Sequence, residues 1–292
     1  MPGIINALTI DVEDYFQVSA FEKNIDRPQW EECACRVVAN TQRLLALLDR
    51  HSVRATFFVL GWVGRRYPEL VREIHAAGHE VGSHSFWHRL IYQQSAEQFR
   101  EDLRQSRDVL EDAIGEAVVS HRAPSFSITR QSLWALEILA EEGFRFDSSI
   151  VPARHDRYGI PEAEQGIHAV ATPAGRLWEF PLPITRIGRL QLPVGGGGYF
   201  RLYPLRWTVR CLRAINQRQQ RPFVFYCHPW EIDPEQPRLR AGSRISRVRH
   251  YVNLASTERK LDSLLQAFRF GRLDEVIEQT LPQPGGKEPA PV

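Results

Sequence analysis

Two histidines, His84 and His88, stand four residues apart in Gly82-Ser83-His84-Ser85-Phe86-Trp87-His88, directly after a short hydrophobic run. Imidazoles at that spacing can face one point from a single helical turn if the chain curls on leaving a strand. With a carboxylate from elsewhere they form a two-histidine, one-carboxylate set, which leaves positions on a divalent metal open for water and substrate. Zinc in such a set makes its water more acidic and polarises a carbonyl, favouring hydrolysis; the same ligands also suit non-haem iron. By itself the pair is an ordinary feature of a polar loop, so its weight depends on partners elsewhere in the chain.

Those partners exist. The apolar run Ile4 to Ile10 ends in Asp11-Val12-Glu13-Asp14, which places carboxylates at a strand exit, where they are less costly than in a core. Hydrolysis of an amide needs a base for the water, a cation that keeps the base ionised and aimed, and an acid for the departing amine. Asp11, Arg122 and His228 fill these roles once each, and each follows a different hydrophobic run.

The elements that must position them alternate. Apolar strands are expected at 4–10, 53–60, 79–83, 117–119, 144–149 and 222–227. Helices are expected at about 33–51, 62–77, 95–116, 131–142 and 203–220, the third opened by the capping box Ser95-Ala96-Glu97-Gln98. Beyond Val151 short β segments at 167–172, 177–182 and 190–194 break the rhythm. They lead to Gly195-Gly196-Gly197-Gly198, read as a mobile flap, a flexible turn or a place where backbone approaches a ligand closely. A basic irregular stretch, helices at about 257–270 and 274–281, and a Pro- and Gly-rich tail at 282–292, expected to be disordered, follow. Repeating βα units with reactive residues at strand exits predict a parallel sheet with a barrel-type site.

Composition narrows the function classes. The chain has 292 residues, 43% hydrophobic and 25% charged, with net charge +2. That balance suits a globular protein and gives no basis for nucleic-acid binding. Arg238, Arg240, Arg244, Arg247 and Arg249 fall in one segment. It reads first as a solvated face and alternatively as a holder of an anionic sugar or a membrane headgroup. Cys33, Cys35, Cys211 and Cys227 form no C-x-x-C pair, and Met1 to Asn6 lacks the charged start and long apolar core of a signal peptide. Reduced thiols and a cytoplasmic location are the expectation. No apolar run is long enough to span a bilayer. Oligomeric state is not legible.

Taken in order, Thr9-Ile10-Asp11-Val12-Glu13-Asp14, His84-Ser85-Phe86-Trp87-His88, Arg122-Ala123-Pro124-Ser125-Phe126, Phe146-Asp147-Ser148-Ser149 and Tyr226-Cys227-His228-Pro229-Trp230 resemble the motifs of polysaccharide deacetylases with a NodB homology domain, carbohydrate esterase family 4. Within that family the chain resembles the subgroup associated with exosortase and exopolysaccharide gene clusters. The resemblance implies a distorted (β/α) barrel of about seven parallel strands over 1–235, with a C-terminal helical extension over 236–281 packed on it. It further implies a divalent metal, expected to be zinc, and removal of acetyl groups from an N-acetylated poly- or oligosaccharide. Carried over by position, Asp11 is the base, Arg122 orients it, His228 is the acid, and His84 and His88 are metal ligands. Pro124, Phe126, Asp147, Trp87, Tyr199 and Trp230 are candidates for contact with sugar.

The first motif departs from the family's pair of adjacent aspartates, because Val12 holds the second place. If the strand continues, alternation puts Glu13 on the face of Asp11 and makes it the ligand. If the chain turns after Val12, Asp14 swings in, and its shorter carboxylate, closer to the usual ligand, tips the expectation to Asp14. Altered first motifs also keep open an amidohydrolase acting on a cyclic amide or imide. A catalytically inactive polysaccharide-binding module is a further alternative, and an iron oxygenase a more distant one.

Overall fold

The computed structural model describes residues 3–155, 158–188 and 190–281; the tail expected at 282–292 lies outside them. Eleven strands are present among the described residues: β1 (Ile5–Val12), β2 (Thr56–Val59), β3 (Glu80–Ser83), β4 (Ser120–His121), β5 (Phe146–Asp147), β6 (His168–Thr172), β7 (Gly175–Glu179), β8 (Ile184–Ile187), β9 (Leu190–Pro193), β10 (Val224–Cys227) and β11 (Arg269–Gly271). Nine form one sheet in the order β10-β1-β2-β3-β4-β5-β7-β6, with β11 added beside β1; β8 and β9 make a separate hairpin. All pairs in the large sheet are parallel except β6 with β7.

This corrects the expected seven-stranded barrel in two ways. Seven parallel strands do run from β10 to β7, but β6 and β11 raise the sheet to nine. No ladder among the described residues joins the ends of the path. Single backbone bonds span the gap instead: Leu182 N–H to Ile150 O at 3.0 Å, Val194 N–H to Pro183 O at 3.0 Å, and Tyr226 N–H to Gly195 O at 2.7 Å.

The described residues also form ten α-helices: α1 (Val37–Arg50), α2 (Gly61–Arg66), α3 (Pro68–Ala76), α4 (Ala96–Ile114), α5 (Trp134–Glu141), α6 (Gly197–Leu202), α7 (Leu205–Arg218), α8 (Arg244–Tyr251), α9 (Leu254–Ala267) and α10 (Leu273–Thr280). The capping box at Ser95 starts α4: Gln98 N–H donates to Ser95 Oγ at 3.2 Å and Ser95 N–H to Gln98 Oε1 at 3.0 Å. Strand β1 explains its own hydrophobicity, being buried on both faces. Leu8, Ile10 and Val12 pack outward with Leu44, Leu48 and Val63 of the helices. Ala7 points inward to a second cluster with Phe58, Phe146 and Phe180, which Leu273, Val276 and Ile277 of α10 close from below. The segment 236–281 therefore adds a strand to the sheet and a helix to its inner core.

Parallel register puts the reactive residues on one edge. Asp11 lies opposite Phe58, which lies opposite Gly82; Ser83 faces His121, which faces Asp147; Ile10 faces Cys227. His84, Arg122 and His228 are each the residue that follows such a strand end. The edge at the carboxyl ends of parallel strands is where α/β sites form.

Candidate active site

The residue at the centre of the edge is Arg122, fully buried. Its Nη1 donates to Asp11 Oδ1 at 2.8 Å and to Thr9 Oγ1 at 2.7 Å; its Nη2 and Nε donate to Ser148 Oγ and O at 2.9 and 3.0 Å. The guanidinium carbon stands 4.5 Å from the centre of the Phe58 ring. With its donors so occupied, the guanidinium cannot swing, and Asp11 is aimed from below. Thr9 and Asp11 reach the same group because alternate residues of β1 share a face.

Glu13 follows after a tight turn, its N–H donating to Asp11 O at 3.0 Å. Its side chain still faces the cavity, and ligand atoms of Glu13, His84 and His88 all lie within 4.8 Å of one another. The Nε2 of His88 is 2.7 Å from Glu13 Oε2. The contact lacks hydrogen-bond geometry, and that buried oxygen has no donor. His84 Nδ1 stands 2.8 Å from the carbonyl of Arg122, which can only accept; Nδ1 therefore carries the proton and Nε2 keeps its lone pair. A buried carboxylate oxygen without a donor beside two imidazoles is a set of donors that fits a divalent cation, and the carbonyl behind His84 is the usual outer support. Burial acts to raise the Glu13 pKa, but His88, then His228 and His84, overcome it and hold it at about 2. The His84 imidazole is pushed well below its ordinary range, by burial first and by His88 next.

The histidine loop is not the helical turn that the spacing allows. His84 to His88 is irregular, with Ser85 and His88 in left-handed backbone (φ 61° and 52°). Asp102 of α4 holds it, Oδ2 accepting Phe86 N–H at 2.6 Å and Oδ1 accepting Trp87 N–H at 3.2 Å. Ser125 and Phe126 of the next loop are left-handed too (φ 52° and 54°). Of seven non-glycine residues in that region among those described, four belong to these two loops. Strained backbone gathered at one place is a mark of a site whose geometry is imposed.

His228 also lines the cavity. Its Nδ1 stands 3.1 Å from Glu231 Oε2, which also accepts the His228 backbone N–H at 3.0 Å. Nε2 points back into the cavity, 3.6 Å from Glu13 Oε1 and 3.9 Å from Asp11 Oδ2. Burial disfavours the imidazolium, but Glu231 outweighs it, followed by Glu13 and Asp11, and raises the pKa to about 9. Arg201 Nε donates to Glu231 Oε1 at 2.6 Å. Burial alone would raise the Glu231 pKa; Arg201 and then His228 hold it at about 2.

These groups open into a cavity of about 240 Å³. Asp11, Glu13, His84, His88, His228, Phe126 and Trp230 line it. Four expected contacts do not. Asp147 is fully buried, Oδ1 standing 2.9 Å from His121 Nδ1 and accepting the Ser149 hydroxyl at 2.7 Å. Trp87 packs between Phe86 and Trp30, with ring centres 4.9 and 6.3 Å away, and Tyr199 lies 5.7 Å from Tyr203. Pro124 is buried in the turn where its carbonyl accepts Ser127 N–H at 3.1 Å.

Asp14, the expected ligand, is corrected on the same grounds. It is fully buried, Oδ1 accepting Tyr15 N–H at 2.9 Å and Oδ2 accepting Arg36 and Val37 N–H at 2.6 and 2.9 Å. Its carboxylate therefore caps the start of α1 and faces away from the histidines. The chain does turn after Val12, but one residue's turn leaves Glu13 in the site. The glycine run is likewise neither flap nor loose turn: Gly196 lies against β10 and Gly197 begins α6. Arg249 of the basic segment also lines the cavity, and the residues not proposed for the site from the sequence are Glu231, Arg201, Tyr226, His155, Tyr158, Ser246 and His250. Only Glu231 carried a local signal, three residues after His228.

The fold is shared with a Mycobacterium smegmatis protein named as a candidate polysaccharide deacetylase, at TM-score 0.60 and 18% identity over 99% of this chain and 96% of that one. Residues 29–145 match the family model for polysaccharide deacetylase, and residues 148–278 match that of a domain of unknown function, DUF3473. The chain is thus similar to polysaccharide deacetylases over residues 29–145, and the site draws on both matched segments: Arg122 and the histidine pair from the first, His228 from the second, Asp11 from ahead of both. Among curated relatives, a chitooligosaccharide deacetylase of Rhizobium leguminosarum is 29% identical over 137 residues, 46% of this chain and 61% of that protein. A peptidoglycan-N-acetylglucosamine deacetylase of Bacillus cereus is 31% identical over 98 residues, 33% of this chain and 36% of that protein. The matches span less than two thirds of either relative.

Proposed function

We propose that the protein is a divalent-metal-dependent hydrolase that removes acetyl groups from an N-acetylated sugar. The carrying observation is that Asp11 and His228 line one cavity with the Glu13, His84 and His88 cluster, His228 Nε2 standing 3.6 Å from Glu13 Oε1 and 3.9 Å from Asp11 Oδ2. The named activities of the relatives support the substrate class. A cation held by Glu13, His84 and His88, with zinc the leading candidate, would supply Lewis acidity to the acetyl carbonyl and a more acidic water. Asp11, aimed by Arg122, takes the proton of the attacking water. His228 enters protonated, since Glu231 favours the imidazolium, and gives its Nε2 proton to the leaving nitrogen. Phe126 and Trp230 present apolar surface to a sugar ring. An exopolysaccharide or its precursor is the finer substrate proposed, on the resemblance of the motifs to the exopolysaccharide-associated subgroup, and the cytoplasm is the proposed compartment, motivated by four free thiols.

The test is acetate release from N-acetylated oligosaccharides by the metal-loaded protein, its Asp11→Asn variant and its His228→Ala variant. Both variants are expected to stay folded and to lose release by about a hundredfold or more. Near-normal release in either one sinks its assigned role. Ring opening of cyclic amides without acetate release would favour the amidohydrolase, and polymer binding without turnover under several metals would favour a binding module.

A further inference from the structure

Helix α8 runs beside the cavity mouth, with Ser246, Arg249 and His250 among the lining residues. It is firmly anchored. Ser243 Oγ accepts Ser246 N–H at 3.0 Å at its start, and Arg201 Nη1 donates to the carbonyls of Arg249 and His250 at 2.9 and 2.6 Å at its end. His250 is stacked on Trp230, ring centres 4.2 Å apart, and its Nε2 stands 2.8 Å from Gln236 Oε1.

The outer face of this fixed helix has an unusual composition. Ile245 and Val248 are each 65% exposed, the highest values among the large hydrophobic residues described. At 100° per residue, Arg244, Val248, Ile245 and Arg249 succeed one another across an exposed arc of about 140°. Two aliphatic side chains are thus bracketed by arginines. Around them, no Asp or Glu occurs from Gln236 to Thr257, while Arg238, Arg240, Arg244, Arg247 and Arg249 all do. Among the described residues none of the five makes an ion pair. The two aliphatic groups stand side by side on one turn of a basic face, and a soluble polyanion would be held by the arginines without them. A bilayer interface takes both, the aliphatic groups entering the headgroup and acyl boundary while the arginines reach lipid phosphates.

We propose that the outer face of α8 docks the protein on an anionic membrane surface and sets the cavity mouth at headgroup level. One short helix gives weak, reversible attachment, so the protein is held peripherally. The inference is independent of the reaction assigned to the cavity.

Sedimentation of the full chain with phosphatidylcholine vesicles, and with vesicles that also hold phosphatidylglycerol, tests it. Binding is expected only to the anionic vesicles, and at low salt more than at high salt. Arg244→Glu is expected to weaken partitioning about fivefold or more, and Ile245→Ser with Val248→Ser about tenfold or more. These exposed variants should melt as the parent does and leave acetate release from a soluble oligosaccharide unchanged, which separates failure here from failure of the reaction. The proposal is overturned if the parent does not sediment with anionic vesicles. It is equally overturned if the Ile245 and Val248 variant binds as the parent does, since attachment would then be that of arginines to any polyanion.

Discussion

Glu231 grips His228 at two points: Oε2 lies 3.1 Å from the ring Nδ1 and accepts the backbone N–H at 3.0 Å. A carboxylate on Nδ1 fixes which ring nitrogen faces outward, so Nε2 is the atom delivered to the cavity. Arg201 in turn holds the other carboxylate oxygen at 2.6 Å and keeps Glu231 from rotating. Replacing Glu231 by Gln leaves the size of the group but removes the charge that favours the imidazolium. The expected result is a fall in kcat of about a hundredfold with a much smaller change in KM. Steady-state kinetics of Glu231→Gln beside Glu231→Asp measures it. Equal kinetics in parent and Gln variant would show that His228 needs no orienting partner.

The placement of Glu13 and Asp14 makes opposite predictions for neighbouring residues. Glu13→Gln and His88→Ala are expected to lose bound zinc in elemental analysis after dialysis, by tenfold or more in affinity. Asp14→Ala is expected to keep it. That variant leaves the N–H groups of Tyr15, Arg36 and Val37 buried without an acceptor, so its cost falls on stability, about 1–3 kcal/mol in denaturant unfolding. Loss of metal in Asp14→Ala with full retention in Glu13→Gln would reverse the assignment.

Glu80 gives the fold a pH dependence of its own. It is buried on the inner face of the sheet, where the hydroxyls of Thr56 and Ser120 donate to it and Asp274 N–H at the start of α10 approaches Oε2 at 3.4 Å. Burial, and then the charge of Asp274, raise its pKa from 4.5 to about 8. The folded state thus holds a proton that the unfolded chain gives up. The stabilising contribution is complete below pH 4.5 and disappears as pH rises through 8. Glu80→Gln, which cannot titrate, should flatten that part of the decline in unfolding free energy across this window. Parallel curves for parent and variant would refute the shift.

Much of this geometry can be read in the sequence, and the parts that cannot have definite causes. Strand β1 is legible because both its faces are buried, and α4 because Ser95 and Gln98 form a local cap. Helix α8 has no apolar periodicity to reveal it; Arg201 and Gln236 hold it from distant parts of the chain. The three-residue strand β11 exists only through its pairing with β1, so its residues read as the end of the preceding helix. The strand exits announce Asp11, Arg122 and His228, but whether a neighbouring carboxylate faces the cavity or caps a helix depends on where Arg36 and Val37 arrive. Asp147 shows the same limit: a strand-end aspartate is a candidate for substrate until His121 is found to enclose it.

Gly196 offers the most direct test of how the sheet's open side is held. Its backbone has φ 133°, and it pairs with Tyr226 of β10 so closely that an added Cβ would lie 1.9 Å from the Tyr226 carbonyl oxygen. A glycine is required twice over, once by the dihedral and once by the contact. Alanine must either distort this segment or push it off β10, which carries His228 at its exit. The adjacent bond from Tyr226 N–H to Gly195 O, at 2.7 Å, would be lost with it. Gly196→Ala is therefore expected to cost about 3 kcal/mol or more in unfolding free energy. Acetate release should fall even where the variant remains folded, because the strand bearing His228 moves. Gly198→Ala, whose Cβ would meet only Arg201 Nη2 at 3.7 Å, is expected to change stability by less than about 1 kcal/mol. Equal melting of the two variants would show that the run is a loose turn.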